Sequence, residues 1–506
     1  MGRMSISDVK ALRSASHSSF AAALSYKQYD AYKSARSLAK PASKISQCHL
    51  SKESRQFSGA SLKKMATPNP GSVIIPLGTG RPNAEFFPWE SLVIQNEKFA
   101  DPQPWSINGG AAHKVPKRDG IYDLTSVLDY GYAAGAPQLL RFITEHVELV
   151  HDPPYSDWGT CLSAGSTSAL EIALRIFCNR GDTILAEQLT YPGFLEAAEL
   201  LGVAVRGIEM DAEGIKPESL SKTLRNWNEA DGRKPSMLYT IPSGHNPTGT
   251  SQTYERKLEV YSIAEEHDLI IIEDDPYYFL QLNFCKTSGG NGQDFLKSLI
   301  PSYVSIDTSG RVVRLDSTSK ILAPGLRAGW VTANDCIIDK FLSYHEVSTA
   351  FVNGPSQLML YKLLEESWGH LGFLNWLADL SARYRQRREI MVQACQTHLP
   401  RTLCTWSVPP HGLFLWIHVN ITKHHEFGSS RAVENGGLHR SIEERIMASA
   451  YEKGVQVTNG SMFQVSHHLD NEIGFRFTFA TADESELDTG VRFFAEAVKD
   501  VFSVTH

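Results

Sequence analysis

The chain has 506 residues, 42% of them hydrophobic, which is more than one compact core usually organises, so we expect at least two packed units. No run approaches the roughly 20 apolar residues that cross a bilayer. Seven scattered cysteines without a C-x-x-C pair predict neither a disulfide framework nor a zinc cluster. The net charge of −7 disfavours a nucleic-acid surface, because phosphate binding needs clustered Lys and Arg. We therefore expect an intracellular protein with no nucleic-acid, membrane or metal partner.

The first 50 residues differ in composition from the rest of the chain. They are rich in Ser and Ala with few large aliphatic side chains, and residues 1–70 contain twelve Lys and Arg against three acids. Such a composition buries little apolar surface, so we expect a disordered basic extension over residues 1–50. Arg3, Lys10 and Arg13 also fit a mitochondrial presequence, although Asp8 weakens that interpretation.

From about residue 73 onward, β-branched runs alternate with helical patterns that Gly and Pro interrupt. Helical periodicity predicts helices over 137–150, 167–179 and 254–267. Apolar runs predict strands over 183–186, 236–240, 269–273 and 311–315. Because strands alternate with helices, we predict an α/β domain with a mainly parallel sheet, and we place it at residues 120–350.

The pattern changes after residue 334. Long helices are predicted over 356–368 and 373–397, then short strands near 412–419 and 474–479, and a closing helix from residue 484. We expect a second, smaller α+β domain made from an N-terminal segment, residues 51–119, together with residues 351–506.

Lys320 belongs to a segment rich in groups that bind phosphate. It follows an apolar run and the sequence Arg-Leu-Asp-Ser-Thr-Ser, so Ser317 and Ser319 stand beside it, and Arg327 comes seven residues later. Hydroxyl groups and a planar guanidinium suit a phosphate dianion. A lone lysine is usually a surface residue, but this neighbourhood favours a phosphate-containing ligand.

A second segment, residues 269–278, is an apolar strand that ends in acids. Glu273, Asp274 and Asp275 stand at a strand end of the kind that faces a ligand crevice in open α/β sheets. These residues alone leave three interpretations open: a carboxylate that binds a ligand, an acidic metal site, or a structural turn.

Two turns carry further polar groups. Asn246 opens an Asn-Pro-Thr-Gly turn after a predicted strand, and Ser166 and Thr167 follow Gly165 at the start of a predicted helix. Helix N-termini bind anions, but an ordinary N-cap uses the same residue types. Each of these motifs is therefore ambiguous by itself.

Together these motifs resemble those of the fold-type-I, class I aminotransferases, which use pyridoxal 5′-phosphate (PLP). They follow the order and similar spacing of that family from about residue 50 to the C terminus. The sequence Glu-Asp-Asp-Pro-Tyr-Tyr-Phe-Leu from residue 273 and the block 410–416 most closely resemble the aromatic amino acid, 2-aminoadipate and kynurenine aminotransferase branch.

The resemblance implies a role for each motif. Lys320 would carry PLP as an internal aldimine, and Asp275 would bind the pyridinium nitrogen and so preserve the ring as an electron sink. Asn246 and Tyr278 would bind the phenolic oxygen of the cofactor. The cofactor phosphate would be bound by Ser166, Thr167, Ser317, Ser319 and Arg327.

Four more assignments come from the resemblance. Tyr191 would stack on the cofactor ring, and Tyr130 would reach the phosphate of the neighbouring subunit in a homodimer. Arg476 would bind the substrate α-carboxylate in a bidentate fork, and Gly80 would lie over the substrate. As isolated residues, Tyr191 suits a packed core and Arg476 a surface. The resemblance thus makes Lys320, Asp275 and Tyr191 catalytic, and Arg476, Asn246 and Gly80 substrate-binding.

The implied function is transfer of an amino group from an L-amino acid, with an aromatic side chain expected, to a 2-oxo acid such as 2-oxoglutarate by a ping-pong mechanism. The shared residues do not fix which Cα bond breaks, so a PLP-dependent lyase or decarboxylase on the same fold stays open. A PLP-binding transcriptional regulator is a further alternative, although residues 1–70 lack three periodic apolar helices. We expect a cytoplasmic homodimer, with a mitochondrial location as the alternative.

Overall fold

The computed structural model describes residues 4–15, 29–45, 49–61, 75, 77–78, 80–96, 112–283, 292–427, 437–466 and 471–502. The strands in these ranges are β1 (Ser91–Gln95), β2 (Ala112–Pro116), β3 (Trp158–Ser163), β4 (Thr183–Glu187), β5 (Ala204–Ile208), β6 (Met210–Asp211), β7 (Gly214–Ile215), β8 (Met237–Thr240), β9 (Ile270–Asp274), β10 (Val312–Ser317), β11 (Gly329–Asn334), β12 (Cys404–Trp406), β13 (Phe414–Asn420), β14 (Thr458–Asn459) and β15 (Glu472–Thr478).

The α-helices in the same ranges are α1 (Ile6–Ala15), α2 (Ala35–Leu38), α3 (Lys52–Gln56), α4 (Leu124–Leu128), α5 (Pro137–Val150), α6 (Ser166–Phe177), α7 (Pro192–Leu201), α8 (Pro217–Arg225), α9 (Tyr254–Glu266), α10 (Gly292–Ser298), α11 (Asp335–Val347), α12 (Gly354–Tyr361), α13 (Gly369–His398), α14 (Gly437–Glu452) and α15 (Glu484–Phe502). A π-helical segment, Lys362–Trp368, joins α12 to α13. No helix among the described residues is both long and apolar enough to span a membrane.

A seven-stranded sheet has the strand order β3-β11-β10-β9-β8-β4-β5. β10 runs parallel to β9, and β4 runs parallel to both β5 and β8. β11 runs antiparallel to both of its neighbours, β10 and β3. The sheet is therefore mixed but mainly parallel, which confirms the predicted α/β fold.

The chain divides into two compact units. Unit 1 consists of Met1–Asp182, Ala264–Pro276 and Gly289–Leu377, and unit 2 consists of Thr183–Ile263, Tyr277–Ser288 and Ala378–His506. Strands β3, β9, β10 and β11 belong to unit 1, whereas β4, β5 and β8 group with the C-terminal residues in unit 2. The chain therefore passes between the two units several times. The predicted domains, residues 120–350 and residues 51–119 together with 351–506, have other bounds and stay a prediction.

Unit 1 includes parts of the N-terminal extension. In α1, Met4, Ile6 and Val9 are buried at or near the start of the helix. At its other end the Arg13 guanidinium forms ion pairs with Glu145 and Glu365. These contacts give residues 4–15 an ordered structure that their composition does not predict. Residues 1–3, 16–28 and 46–48 of the extension lie outside the described residues.

Unit 2 contains a four-stranded antiparallel sheet in the order β12-β13-β15-β14. Trp416 of β13 lies opposite Arg476 of β15. A Cβ atom at Gly474 would lie 1.9 Å from the Trp416 ring, so only glycine lets this indole lie across β15. Phe475 and Phe477 of β15 pack on Phe494 of α15 with ring centroids 5.1 and 4.9 Å apart. This packing fixes the strand that carries Arg476.

The described cysteines include both free thiols and a disulfide-bonded residue. Cys161, Cys178, Cys395 and Cys404 are free thiols, and Cys336 is disulfide-bonded. Burial raises the pKa of the Cys395 and Cys404 thiols to about 12, which disfavours the reactive thiolate.

The ion pairs of Arg13 generate a stability prediction. Glu145 is buried, and although burial raises its pKa, His370 and Arg13 outweigh this effect and lower the pKa to about 2. Glu145 therefore stabilises the folded state above its unfolded pKa of about 4.5, and this contribution is lost as pH falls toward 2. We expect Arg13→Ala to cost roughly 2 kcal/mol at neutral pH, because it removes one of the two arginines that pair with a buried carboxylate.

The measurement is the thermal unfolding midpoint at pH 7 and pH 4. Lys10→Ala, at an exposed position of the same helix, is the matched control and should leave the midpoint unchanged. Equal midpoints for Arg13→Ala and Lys10→Ala would contradict the prediction.

Candidate active site

The parallel pairing of β9 with β10 in unit 1 places four charged side chains on one face of the sheet. Arg314 lies opposite Glu273 in the register, and because side chains alternate along a strand, Asp275 and Asp316 share that face. The buried Arg314 guanidinium places Nη1 3.0 Å from Glu273 Oε1 and 3.5 Å from Asp275 Oδ2. Its Nε and Nη2 donate to the two oxygens of Asp316 at 3.0 and 2.8 Å. Asp275, the proposed ligand of the ring nitrogen, is therefore part of an ion network.

The turn that follows β10 carries Lys320. Ser317 Oγ donates to Ser319 Oγ at 3.0 Å, and the Ser319 N–H donates back to Ser317 Oγ at 3.2 Å. Lys320 comes next and is half-buried. Arg327 Nη1 donates to Ser319 Oγ at 3.4 Å. Its backbone has a φ of +45°, which is an uncommon conformation for a residue with a side chain.

The N-terminus of α6 lies against the Arg327 guanidinium. Gly165, the N-cap, has a φ of +87°, and a Cβ atom there would lie 2.6 Å from Arg327 Nη2. The absence of a Cβ atom at Gly165 therefore leaves room for the guanidinium at its observed position. Ser166 and Thr167 are the first two residues of the helix, half-buried and exposed respectively. Helix N–H groups, hydroxyls and a guanidinium thus meet at one place in unit 1, which suits an anion.

In unit 2, the Arg476 guanidinium is held on several sides. Its Nη1 donates to Asn246 Oδ1 at 2.7 Å, and its Nη2 donates to Thr458 Oγ1 at 3.3 Å. The rings of Phe414 and Phe463 lie with centroids 4.6 and 4.9 Å from the guanidinium carbon. Cation–π contacts of this kind add to the two hydrogen bonds. Arg476 is therefore a fixed fork and not the surface charge that it would be as an isolated residue.

Burial lowers the pKa of Arg476, and nearby Tyr277 and Tyr191 oppose this shift. Because Tyr191 affects the pKa of Arg476, its side chain lies near this guanidinium. Tyr191 is the half-buried N-cap of α7, and Tyr278 is buried with its ring edge-on to Phe279 at 5.1 Å.

The contact with Arg476 also fixes the orientation of the Asn246 side chain. An arginine N–H donates only to the oxygen of an amide, so the Nδ2 group of Asn246 is directed elsewhere and is available as a donor. Behind Asn246, Glu187 Oε1 accepts from Thr240 Oγ1 at 2.6 Å and from the Ile241 N–H at 3.1 Å. The buried Glu187 thereby anchors the end of β8, from which the Asn246 turn departs.

Two predicted site residues lie apart from these groups within the described chain. The side chain of Tyr130 is 54% exposed, and its ring contacts Phe351 at a centroid distance of 6.4 Å. Gly80 is exposed, and a Cβ atom there would have no heavy atom within 4 Å. Their predicted roles remain predictions.

Known proteins resemble this chain over most of its length. The sequence profile of the family Aminotransferase class I and II matches residues 111–494. The chain belongs to this family. It is 48% identical over 444 residues to aminotransferase swnA of Metarhizium robertsii, covering 86% of this chain and 87% of that one. It is 36% identical over 469 residues to the aromatic amino acid aminotransferase C56E4.03 of Schizosaccharomyces pombe, covering 90% and 98%.

The fold agrees with this assignment. The crystal structure of aminotransferase Aro8 from Candida albicans superimposes with a TM-score of 0.83 at 34% sequence identity, and the match covers 92% of this chain and all of that one. The protein is thus a fold-type-I, PLP-dependent aminotransferase, and the predicted fold, enzyme class and cofactor are confirmed.

The residues of this aminotransferase fit its cofactor. The Gly165 turn leaves room for an anion where a Cβ atom would fill the space, and Ser317, Ser319 and Arg327 supply donors. Buried carboxylates of the Arg314 network suit a cationic ring nitrogen. The acidic metal site that the sequence left open is not supported, because Arg314 contacts Glu273 and Asp275. Among the described residues, only His424, His425 and Glu426 have spacing suited to a metal ion.

Sequence reasoning missed several residues of this aminotransferase site. Thr458, Phe414 and Phe463 reach Arg476 through long-range pairing, which leaves no local signal. Arg314 and Asp316 did leave one, since charged residues at alternate positions of an apolar strand indicate a buried ion pair.

The turn at Gly165 yields a prediction. Gly165→Ala should weaken PLP binding at least about tenfold, because the added methyl group displaces Arg327 and strains a positive φ. Fluorescence titration of the apoenzyme with PLP measures the dissociation constant. Gly181→Ala is the matched control, since Gly181 has a φ of +89° and nothing within 4 Å of its Cβ position. If both variants weaken PLP binding equally, backbone strain alone explains the effect, and an anion site at the Gly165 turn is refuted.

Proposed function

We propose that this aminotransferase transfers the amino group of an aromatic L-amino acid to a 2-oxo acid such as 2-oxoglutarate by a ping-pong mechanism. The observation that carries the proposal is the Arg476 fork, held between Asn246 and Thr458 and flanked by two phenylalanine rings. Each Nη carries a second N–H, and two such donors match a carboxylate. Because amino acids and 2-oxo acids both have a carboxylate beside the reacting carbon, one fork serves donor and acceptor in turn.

The aromatic substrate class is supported by two independent facts. The fission-yeast relative is named an aromatic amino acid aminotransferase. Unit 2 also surrounds Arg476 with aromatic side chains, which favour flat apolar substrates. The aromatic side chains around the fork are Tyr191, Tyr277, Phe414 and Phe463.

The residues of unit 1 have distinct proposed roles. Lys320 would hold the cofactor, and its free side-chain amine would accept the proton from the substrate Cα. Asp275 balances the charge of the ring nitrogen, while Ser166, Thr167, Ser317, Ser319 and Arg327 bind the phosphate. PLP supplies the electron sink for the broken Cα–H bond.

In unit 2, Asn246 and Tyr278 are proposed to donate to the phenolic oxygen, and Tyr191 to stack on the ring. The hydrogen bond that Asn246 Oδ1 accepts from Arg476 supports this role, because it leaves the Nδ2 group to donate elsewhere. Gly80 is proposed to lie over the substrate, where an exposed residue without a side chain leaves space.

The test is a single-turnover reaction of the PLP-loaded enzyme with a panel of amino acids, followed by absorbance. Phenylalanine, tyrosine and tryptophan should react faster than lysine, 2-aminoadipate and alanine, and 2-oxoglutarate should restore the original spectrum. Lys320→Ala should lose turnover by about 1,000-fold or more with its circular dichroism unchanged. Lys297→Ala, at an exposed position of α10, is the control.

An unchanged spectrum with every amino acid would sink the transaminase proposal. Release of carbon dioxide or ammonia in place of a 2-oxo acid would indicate the decarboxylase or lyase alternative. Faster reaction with lysine or 2-aminoadipate would overturn the aromatic assignment alone.

We further propose a homodimer in which Tyr130 reaches the phosphate site of the partner. Unit 1 exposes several large apolar side chains that a second copy would cover. They are Leu77, Phe86, Trp89, Val93, Ile121 and Tyr130. Such side chains are costly to leave in water, and within the described part of its own chain the Tyr130 ring packs on Phe351.

A hybrid experiment tests this arrangement. Lys320→Ala and Tyr130→Ala subunits should each be inactive alone, yet their co-expressed mixture should regain about a quarter of wild-type activity. Half of the dimers would then be hybrids, and one of the two sites in each would carry both defects while the other is intact. No recovery above the separate variants would show that Tyr130 acts within its own chain. A monomer by light scattering would refute the dimer itself.

The cellular location of the protein is also a proposal. We favour the cytoplasm over mitochondria, because Arg13, one of the basic residues that suggest a presequence, is engaged with the buried Glu145. Imaging of the chain with a C-terminal fluorescent fusion decides between the two compartments.

A further inference from the structure

Four charged side chains lie buried together in unit 1. We call them the charged quartet: Glu273, Asp275, Arg314 and Asp316. Each is at most 3% exposed. Burying charges in this way is costly unless they are paired and hydrogen-bonded, so a group of three acids around one base needs a reason.

The three carboxylates are held in different ways. Glu273 accepts from the backbone N–H groups of Tyr303 and Val304 at 2.8 and 3.3 Å. Asp316 receives the bidentate fork of Arg314. Asp275 has the longest of the Arg314 contacts, 3.5 Å from Nη1. Arg314 is thus held by Asp316 and Glu273, and the Nη1 atom that contacts Glu273 also faces Asp275.

With its three acids ionised, the quartet carries an excess of negative charge, although burial raises the pKa of Asp316. Burial disfavours the charged form of Arg314, but Asp316, Glu273 and Asp275 outweigh it and raise the pKa of Arg314 above its ordinary value. His146, which feels the charge of Arg314, does not add a second cation, because burial holds its pKa well below the usual range. A protonated ring nitrogen beside Asp275 would balance part of the excess.

We propose that Arg314 is a positioning residue, which keeps Asp275 charged and aligned for the ring nitrogen of PLP. The inference rests on the proposed role of Asp275 and deepens it. Without the guanidinium, three neighbouring acids repel one another, and one of them takes up a proton. Asp275 would then lose its fixed orientation, its charge, or both. Arg314 need not touch the cofactor to have this effect.

A cofactor analogue isolates the effect. Carbocyclic PLP, in which a C–H group replaces the ring nitrogen, has no charge for Asp275 to balance. Wild-type enzyme should bind PLP more tightly than this analogue. Arg314→Gln should weaken PLP binding at least tenfold and lower kcat at least tenfold. The same variant should bind the analogue with an affinity within about threefold of the wild-type value, and its KM for phenylalanine should also change by no more than about threefold. The variant should therefore no longer bind PLP more tightly than the analogue.

Two further variants separate positioning from folding. Arg311→Gln removes a buried, ion-paired arginine just before the same strand and should leave the preference for PLP unchanged. The double variant Arg314→Gln/Asp316→Asn removes one positive and one negative charge together, which reduces the repulsion among the acids. It serves as the test if the single variant fails to fold. This folded double variant should still lack the preference for PLP, because Asp275 has lost its guanidinium.

The outcomes are decisive. Equal weakening of PLP and the analogue by Arg314→Gln, or full recovery of the preference in the double variant, would assign Arg314 a merely structural role and overturn the proposal. Failure of the wild-type enzyme to bind PLP or to transaminate would instead refute the proposed function. Rescue of the preference by Arg314→Lys would show that charge alone suffices, and would overturn the aligning part of the role.

Discussion

The parallel pairing of β9 with β10 is the constraint on which the rest of the site in unit 1 depends. It sets Arg314 opposite Glu273, brings Asp275 and Asp316 onto the same buried face, and ends both strands at one edge of the sheet. The turn with Ser317, Ser319 and Lys320 leaves from that edge. A shift of the register by one residue would put Arg314 and Asp316 on the face opposite to Glu273 and Asp275 and break the contacts between the two strands' charged side chains.

Regular local patterns account for how well the sequence predicts the fold. Pro137 at the first helical position and steady apolar periodicity made α5 predictable over its full length, Pro137–Val150. The buried strands β4, β8, β9 and β10 also stood out as apolar runs between turns. For α1 composition is a poor guide, because the buried side chains of Met4, Ile6 and Val9 and the ion pairs of Arg13 hold the helix.

The candidate site was predictable only in part, for a similar reason. Asp275 and Lys320 stand in continuous motifs, whereas Thr458 reaches Arg476 because the two-residue strand β14 pairs with β15. A residue type as ordinary as threonine carries no signal of that pairing. Arg314 differs, because it stands two residues before Asp316 in an otherwise apolar strand. That spacing is visible in the sequence and indicates a buried ion pair.

The repeated passage of the chain between the two units bears on how the protein is made. β3 pairs with β11, which lies roughly 170 residues later, so the central sheet cannot close until most of the chain has left the ribosome. Until then the apolar edges of β3, β4 and β9 stay exposed in the nascent chain. Such a topology slows folding and leaves apolar strand edges open to aggregation while the chain is being made.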